Sequence, residues 1–133
     1  MLLLKALPSL FVALLLLTSC SSPPDAPAPA PPKPPDEAAA IAALKELNQA
    51  QANFIRRTRR YAQTMNELIA DHLLTGAPHA DGYSIEMVPS ADAVSYTVKA
   101  TPSTPEARHF FTDQTGNLHA ASGKPATLDS PKI

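Results

Sequence analysis

The chain has 133 residues, a formal net charge of −1 and a single cysteine. Its length suits one small domain and excludes large multidomain enzymes and repeat arrays. A net charge this close to zero gives no global electrostatic reason to bind nucleic acid. An aromatic content of 5% without tryptophan is thin for a groove that stacks bases or sugars. We therefore expect no nucleic acid partner.

Residues 1–19 have the features of a secretory signal. Lys5 supplies an early positive charge, and an apolar run extends from Ala6 to Leu17. That run contains Pro8 and is shorter than the roughly 20 residues that a membrane-spanning helix needs. The pattern predicts a signal peptide at residues 1–19 that is removed from the mature protein.

The end of the apolar run carries a more specific pattern. Leu17, Thr18 and Ser19 precede Cys20, the only cysteine of the chain, and this succession resembles the lipobox of bacterial lipoproteins. The resemblance implies recognition of Leu17, Thr18 and Ser19 by signal peptidase II, cleavage before Cys20 and attachment of a lipid to its sulfur. The alternative is an ordinary signal peptide with an incidental thiol, but a lone free thiol suits an oxidising compartment poorly.

The residue after the cysteine bears on the expected location. In Gram-negative lipoproteins an Asp at this position favours retention in the inner membrane, whereas this chain has Ser21. The resemblance therefore implies a protein of the bacterial cell envelope that is anchored by its lipid, in the outer membrane. We expect the membrane to be one partner, through the lipid on Cys20, and we expect no other cofactor.

Residues 20–35 form a proline-rich linker after the lipidated cysteine. Eight prolines occupy the 13 positions from 23 to 35. Proline lacks an amide donor and has a fixed φ, so polyproline II is the default conformation. At about 3.1 Å per residue this stretch would extend on the order of 40 Å. We predict a disordered spacer rather than a ligand for an aromatic groove, followed by a folded domain at residues 36–133.

Two helices are predicted at the start of the folded domain. Asp36 is a good N-cap for a long helix at residues 37–61, whose apolar side chains recur at three- and four-residue steps. Asn48 and Gln51 make the later part of that face mixed in polarity. Thr64 and Glu67 have the capping-box spacing, which predicts a second, short helix that ends near Leu74.

After residue 80 the pattern alternates with a period of two, which is typical of half-buried antiparallel strands. The final residues, 122–133, are rich in proline and small residues and read as irregular. The order of the elements predicts an α+β fold in which a long N-terminal helix packs on a small antiparallel β-sheet. The predicted strands are residues 83–87, 94–101, 107–112 and 117–120.

Several segments of the folded part resemble type IV pilin-like proteins. Residues 40–54 (AIAALKELNQAQANF) are similar to the long helix of that family, and residues 81–83, 96–102 and 108–116 are similar to strands of its globular head. The likeness covers residues 38–131 and implies a pilin-like head. The short basic leader and the hydrophobic helix of a pilin are missing from this sequence. The resemblance therefore implies the head fold and not filament building.

Four arginines near the end of the long helix, Arg56, Arg57, Arg59 and Arg60, form the densest charge cluster. One interpretation is a solvated helix end whose cations complement the negative end of the helix dipole. The alternative is a docking patch for an acidic partner, anionic lipid headgroups or envelope polymers. We name these four residues the arginine surface.

Other candidate sites carry weaker patterns. His109 and His119 could face each other across the last predicted hairpin, but the spacing of the four histidines lacks the converging ligands of a zinc site. Asp113 and Gly116 belong to a turn that falls short of a calcium loop. Neither a nucleophile elbow nor a phosphate-binding glycine loop is present. We expect no metal site and no catalytic activity.

These observations predict an envelope lipoprotein with a non-catalytic, pilin-like head that serves as a structural or protein-interaction module. Its expected partner is another envelope protein. Two alternatives stay open from the sequence. One is a small periplasmic enzyme that uses the hairpin histidines, and the other is a binder of a lipid or small hydrophobic ligand beneath the long helix.

Overall fold

A computed structural model describes residues 33–133, which form one long helix, one short helix and a four-stranded sheet. The strands follow one another as an antiparallel meander in the order β1-β2-β3-β4. The predicted α+β class is therefore confirmed. The predicted signal peptide, Cys20 with its recognition residues and linker positions 20–32 lie outside the described residues. The elements are α1 (Glu37–Thr58), α2 (Met65–Ala70), β1 (Tyr83–Pro89), β2 (Tyr96–Pro102), β3 (Arg108–Asp113) and β4 (Leu118–Ser122).

The start of α1 is determined by its cap. The Asp36 side chain accepts a hydrogen bond from the Ala39 amide at 3.0 Å, as expected of an N-cap aspartate. Glu37 places a negative charge in the first turn, where it favours the helix dipole. Alanines supply helix propensity and allow the helix to approach the sheet closely. The buried positions of α1 are Ala40, Ala43, Leu44, Leu47, Ala50, Gln51 and Phe54.

The main core lies between α1 and one face of the sheet. Alternate residues of each strand point toward the helix, and the helix presents apolar residues at every third or fourth position. The two sets of apolar side chains pack together in one layer. Burying this surface is the principal source of stability in a domain without a disulfide. The sheet side of the core includes Tyr83, Tyr96, Val98, Ala100, Phe110, Leu118 and Ala120.

Both helices end earlier than the sequence predicted. α1 ends at Thr58, because Arg59 takes the left-handed conformation (φ 65°) and its amide bonds to Ile55 O at 2.9 Å. α2 ends at Ala70, because His72 is also left-handed (φ 58°). The predicted ends at residues 61 and 74 were wrong, since neither chain reversal carries a glycine at the left-handed position to mark it.

All four predicted strands are present, with ends that shift by at most two residues. The C-terminal segment is less irregular than predicted. Lys132 pairs with His119 in an isolated antiparallel bridge along the outer edge of β4. Ala126 is buried with Phe111 and Ala121 in a small second cluster on the sheet face opposite the helix. The last eleven residues therefore cover part of that face and part of that edge.

Candidate functional site

The end of α1 is held in place by a buried amide. Gln51 is fully buried, and its side chain closes a two-way pair with the main chain of Ala62. Its Nε2 donates to Ala62 O at 3.1 Å, and the Ala62 amide donates to its Oε1 at 2.8 Å. Nε2 also lies 3.1 Å from the Met87 sulfur. These bonds explain why a polar residue occupies an apolar helix position, since every polar atom of the amide has a partner.

A second polar group fixes the middle of α1 to the sheet. Asn48 donates from Nδ2 to Thr112 Oγ1 at 2.7 Å and accepts from the Tyr96 hydroxyl at 2.8 Å. The Thr112 hydroxyl in turn donates to Asn117 O at 2.9 Å, which extends the hydrogen-bond network to the β3–β4 turn. Burial raises the pKa of the Tyr96 phenol, which therefore stays protonated and remains a donor. In the sequence, Gln51 and Asn48 appeared only as polar residues on an otherwise apolar helix face. Their hydrogen-bond partners could not be predicted from the sequence.

Two members of the arginine surface are tied to α2. Arg57 Nη1 lies 3.0 Å from Asp71 Oδ2, and Arg60 forms a two-pronged pair with Glu67, each nitrogen to oxygen distance being 3.0 Å. The Arg60 guanidinium also lies 5.2 Å from the centre of the Phe54 ring. Fork-like arginine–carboxylate pairs have the best geometry among surface ion pairs. Arg57 and Arg60 thus join the ends of the two helices.

Glu67 is the centre of this junction. Its amide donates to Thr64 Oγ1 at 3.2 Å, which confirms the predicted N-cap. Its carboxylate accepts from the Gln63 amide at 2.7 Å, one residue before the reciprocal partner of a standard capping box. The hydrogen bonds from Arg60 and then from Gln63 hold the pKa of Glu67 below its ordinary value. The carboxylate is therefore ionised at neutral pH and keeps Arg60 engaged.

Arg56 and Arg59 differ from the other two arginines. Both are exposed, and neither forms an ion pair with any residue in the range 33–133. Arg59 also occupies a left-handed backbone position that favours glycine. The four predicted patch residues therefore divide into a structural pair and a pair of exposed, unpaired cations. An exposed, unpaired guanidinium is suited to a carboxylate on another molecule.

The linker reaches the domain at the opposite end of α1. Lys33 Nζ lies 2.5 Å from Asp81 Oδ2, and the Asp36 amide donates to Asp81 O at 2.8 Å. This lysine contact is the main reason that the pKa of the Asp81 carboxyl lies below its ordinary value. Pro35 packs directly against Gly82, and a Cβ added at Gly82 would lie 2.7 Å from the Cα of Pro35. The last residues of the proline-rich stretch are thus part of the folded unit.

The predicted pair of hairpin histidines does not form. In the β3–β4 register His109 lies opposite Ala121, and His119 lies opposite Phe111. The His119 ring is buried, and its Nδ1 lies 2.6 Å from Ser130 O. Residues 33–133 contain no group of three metal-binding side chains. The register thus removes the facing histidines on which the enzyme alternative depended.

A groove of about 630 Å³ lies between β4 and the C-terminal segment. No residue of α1 lines it, so it does not correspond to the ligand site predicted beneath the long helix. Its walls combine two cationic side chains, one carboxylate, several hydroxyl groups and apolar side chains. The lining residues are Arg108, Ala120, Ala121, Ser122, Lys124, Pro125, Thr127, Asp129, Ser130, Pro131 and Ile133.

Comparisons of the chain with protein-family models, with curated proteins and with solved structures found no match. The likeness to pilin heads therefore rests on the sequence motifs alone. In the part of the chain that the structure describes, no helix has both the length and the apolar character to cross a membrane.

Proposed function

We propose that the mature protein is a lipid-anchored lipoprotein of the bacterial outer membrane. Its pilin-like head is non-catalytic and binds an acidic surface of another envelope protein. The observation that carries the proposal is the succession Leu17, Thr18, Ser19 and Cys20 at the end of an apolar leader, followed by a proline-rich stretch. The head then acts as a tethered module and not as a filament subunit.

The anchor follows from the free energy of burying hydrocarbon. Each CH₂ group in the bilayer contributes about 0.8 kcal/mol, so one acyl chain binds reversibly and two or three bind almost permanently. Lipid on Cys20 uses the only thiol of the chain, which leaves no possibility of a disulfide. The head then depends on packing and hydrogen bonds alone, and the polar anchors of α1 fit that requirement.

The layout of the described residues supports a docking role for the arginine surface. The linker joins the head at the start of α1, and the arginines lie at its other end. A helix of 22 residues is about 33 Å long. The arginine surface is therefore well separated from the point at which the tether enters. Two cations there have no ion-pair partner within residues 33–133, so their guanidinium groups are available to a carboxylate on another molecule.

Lipidation can be tested by metabolic labelling. We expect the protein expressed in bacteria to incorporate labelled palmitate and the Cys20→Ala variant to incorporate none. Ser21→Ala is the matched control, because it alters the neighbouring residue and leaves the thiol in place. Undiminished labelling of Cys20→Ala would contradict the anchor.

Docking can be tested by crosslinking in intact cells followed by mass spectrometry. We expect the double variant Arg56→Gln, Arg59→Gln to lose recovery of its envelope partner in a salt-sensitive manner, because exposed ion pairs are screened by salt. The control is Lys45→Gln with Lys99→Gln, which removes the same charge from two other exposed positions. Equal recovery from the two double variants at low salt would contradict docking through the arginine surface.

A further inference from the structure

The outer edge of β4 is only partly paired. The Ala120 amide donates to Pro131 O at 3.0 Å, and the Ile133 amide donates to Leu118 O at 3.0 Å. In an antiparallel strand the N–H and C=O of one residue point to the same side, and neighbouring residues alternate. The backbone groups of residues 118, 120 and 122 therefore point away from β3. The bond from the Gly123 amide to Ala107 O on the β3 side agrees with this register.

Proline ends the pairing along this edge. The ladder would continue with a bond from residue 131 to Ala120 O, but Pro131 has no amide proton. The chain then turns away, and Ser130 O accepts a hydrogen bond from His119 Nδ1 at 2.6 Å. By this alternation the C=O of Ala120 and both backbone groups of Ser122 face away from β3, and within residues 33–133 they form no main-chain hydrogen bond on the outer side. We name this stretch of edge, with the groove above it, the β4 slot.

The groove over these groups has the size and charge of a binding site. Its volume of about 630 Å³ falls within the range of roughly 300–1,000 Å³ that is usual for ligand sites. Two cations line it, and Arg108 Nη1 is already 3.3 Å from Glu37 Oε2. Lys124 forms no ion pair in the described part of the chain, although Asp129 also lines the groove. Lys124 is thus the cation that is open to a ligand.

We propose that the β4 slot binds an extended peptide segment of a partner protein by strand addition, with a peptide carboxylate received by Lys124. The free groups are, in order, the C=O of Ala120, the N–H of Ser122 and the C=O of Ser122. An extended peptide backbone can pair with them by offering an N–H, a C=O and an N–H. A hydrophobic ligand would leave these groups unpaired, at a cost. The chain's own proline-rich linker is a poor occupant, since half of its residues are prolines, which lack an amide donor. The inference rests on the proposed function only in that the head contacts other proteins.

A titration followed by NMR tests the proposal. The full mature chain, labelled with ¹⁵N and held in detergent micelles, is titrated with the blocked peptide N-acetyl-Thr-Val-Thr-Glu-amide. We expect saturable shifts of the Ser122 amide and its neighbours, with slower hydrogen exchange at that amide. Two further peptides carry N-methyl groups, one on the two threonine amides and one on the valine and glutamate amides. In a bound extended peptide, alternate amides point toward β4 and the others point away from it. Only the peptide that is methylated on the amides facing β4 should therefore lose affinity, by about tenfold or more.

Two variants probe the protein side. Ser122→Pro removes the donor at an edge position that tolerates proline, and we expect about a tenfold loss of affinity. Lys124→Gln should weaken binding by about two- to fivefold in low salt, as expected of one exposed charge. If Ser122→Pro does not fold, the methylated peptides decide the matter on the unaltered protein.

Any of four results would overturn the proposal. The first three are no shift at millimolar peptide, equal binding of both methylated peptides, and shifts confined to the arginine surface. Shifts at Ser122 that depend on protein concentration without peptide would assign the β4 slot to a second copy of this chain, and would equally overturn it. None of these results touches palmitate labelling or crosslinking through Arg56 and Arg59, which depend on other residues.

Discussion

The backbone at Arg59 makes a prediction that separates stability from binding. Arg59 has φ 65° and ψ 15°, in the left-handed region. That conformation costs an ordinary residue about 1–2 kcal/mol, and glycine escapes most of this cost. Glycine in turn loses about 0.5–1 kcal/mol more backbone entropy on folding. We therefore expect Arg59→Gly to exceed Arg59→Ala in free energy of unfolding by about 0.5–1 kcal/mol.

The alanine variant is the matched control, because both substitutions remove the same guanidinium and differ mainly in backbone freedom. Urea denaturation at neutral pH measures the difference directly. In a domain of about 100 residues, the same difference would separate the two melting temperatures by about 2–8 °C. A glycine variant no more stable than the alanine variant would refute the argument that the Arg59 backbone is strained.

The same two variants test the use of the side chain. If Arg59 binds an acidic partner, both variants should lose crosslinked partner to the same extent, although one is more stable than the other. Strained positions are often retained where function needs the residue, and the strain is offset elsewhere in the fold. Full recovery of the partner by both variants would mean that the guanidinium is not used for docking.

Three further predictions concern the contacts around the head. Gln51→Leu should lower the free energy of unfolding by about 2–4 kcal/mol in urea titrations, because it leaves the buried N–H and C=O of Ala62 without partners. The folded-state pKa of Glu67 lies below its ordinary value of 4.5, so its stabilising contact with Arg60 is complete above that pH and is lost as the pH falls. Glu67→Gln should reduce the acid dependence of the melting temperature. Gly82→Ala should release the end of the linker, seen as faster proteolysis there, since the new Cβ would lie 2.7 Å from Pro35 Cα and the φ of 75° disfavours alanine.

Local signals were sufficient to predict where the elements begin. The Asp36 cap and the Thr64 cap are both formed as their spacing indicated. Alternation of polar and apolar residues placed the strands, because half-buried strands in an antiparallel sheet must alternate. These features depend on residues that are at most a few positions apart, so a single sequence contains them.

The ends of the helices and the partners of the polar residues depend on distant contacts. The run of arginines after Ile55 contains no glycine or proline to stop α1. The chain turns because the Tyr61 amide bonds to Ala93 O at 2.9 Å and Gln51 binds Ala62. The bridge between Lys132 and His119 is likewise set by the packing of the last residues on the sheet. No local pattern encodes these pairings.

The position of the arginine surface can itself be derived from the core. Ala62 is held beside Gln51, which lies two turns before the end of α1, so the chain must reverse within the few residues after Thr58. A single left-handed residue achieves such a reversal, and it falls on Arg59. A substitution that releases Ala62 therefore removes the reason for the strain at Arg59. We expect the advantage of glycine over alanine at position 59 to shrink in a Gln51→Leu background, and an unchanged advantage would show that the two features are independent.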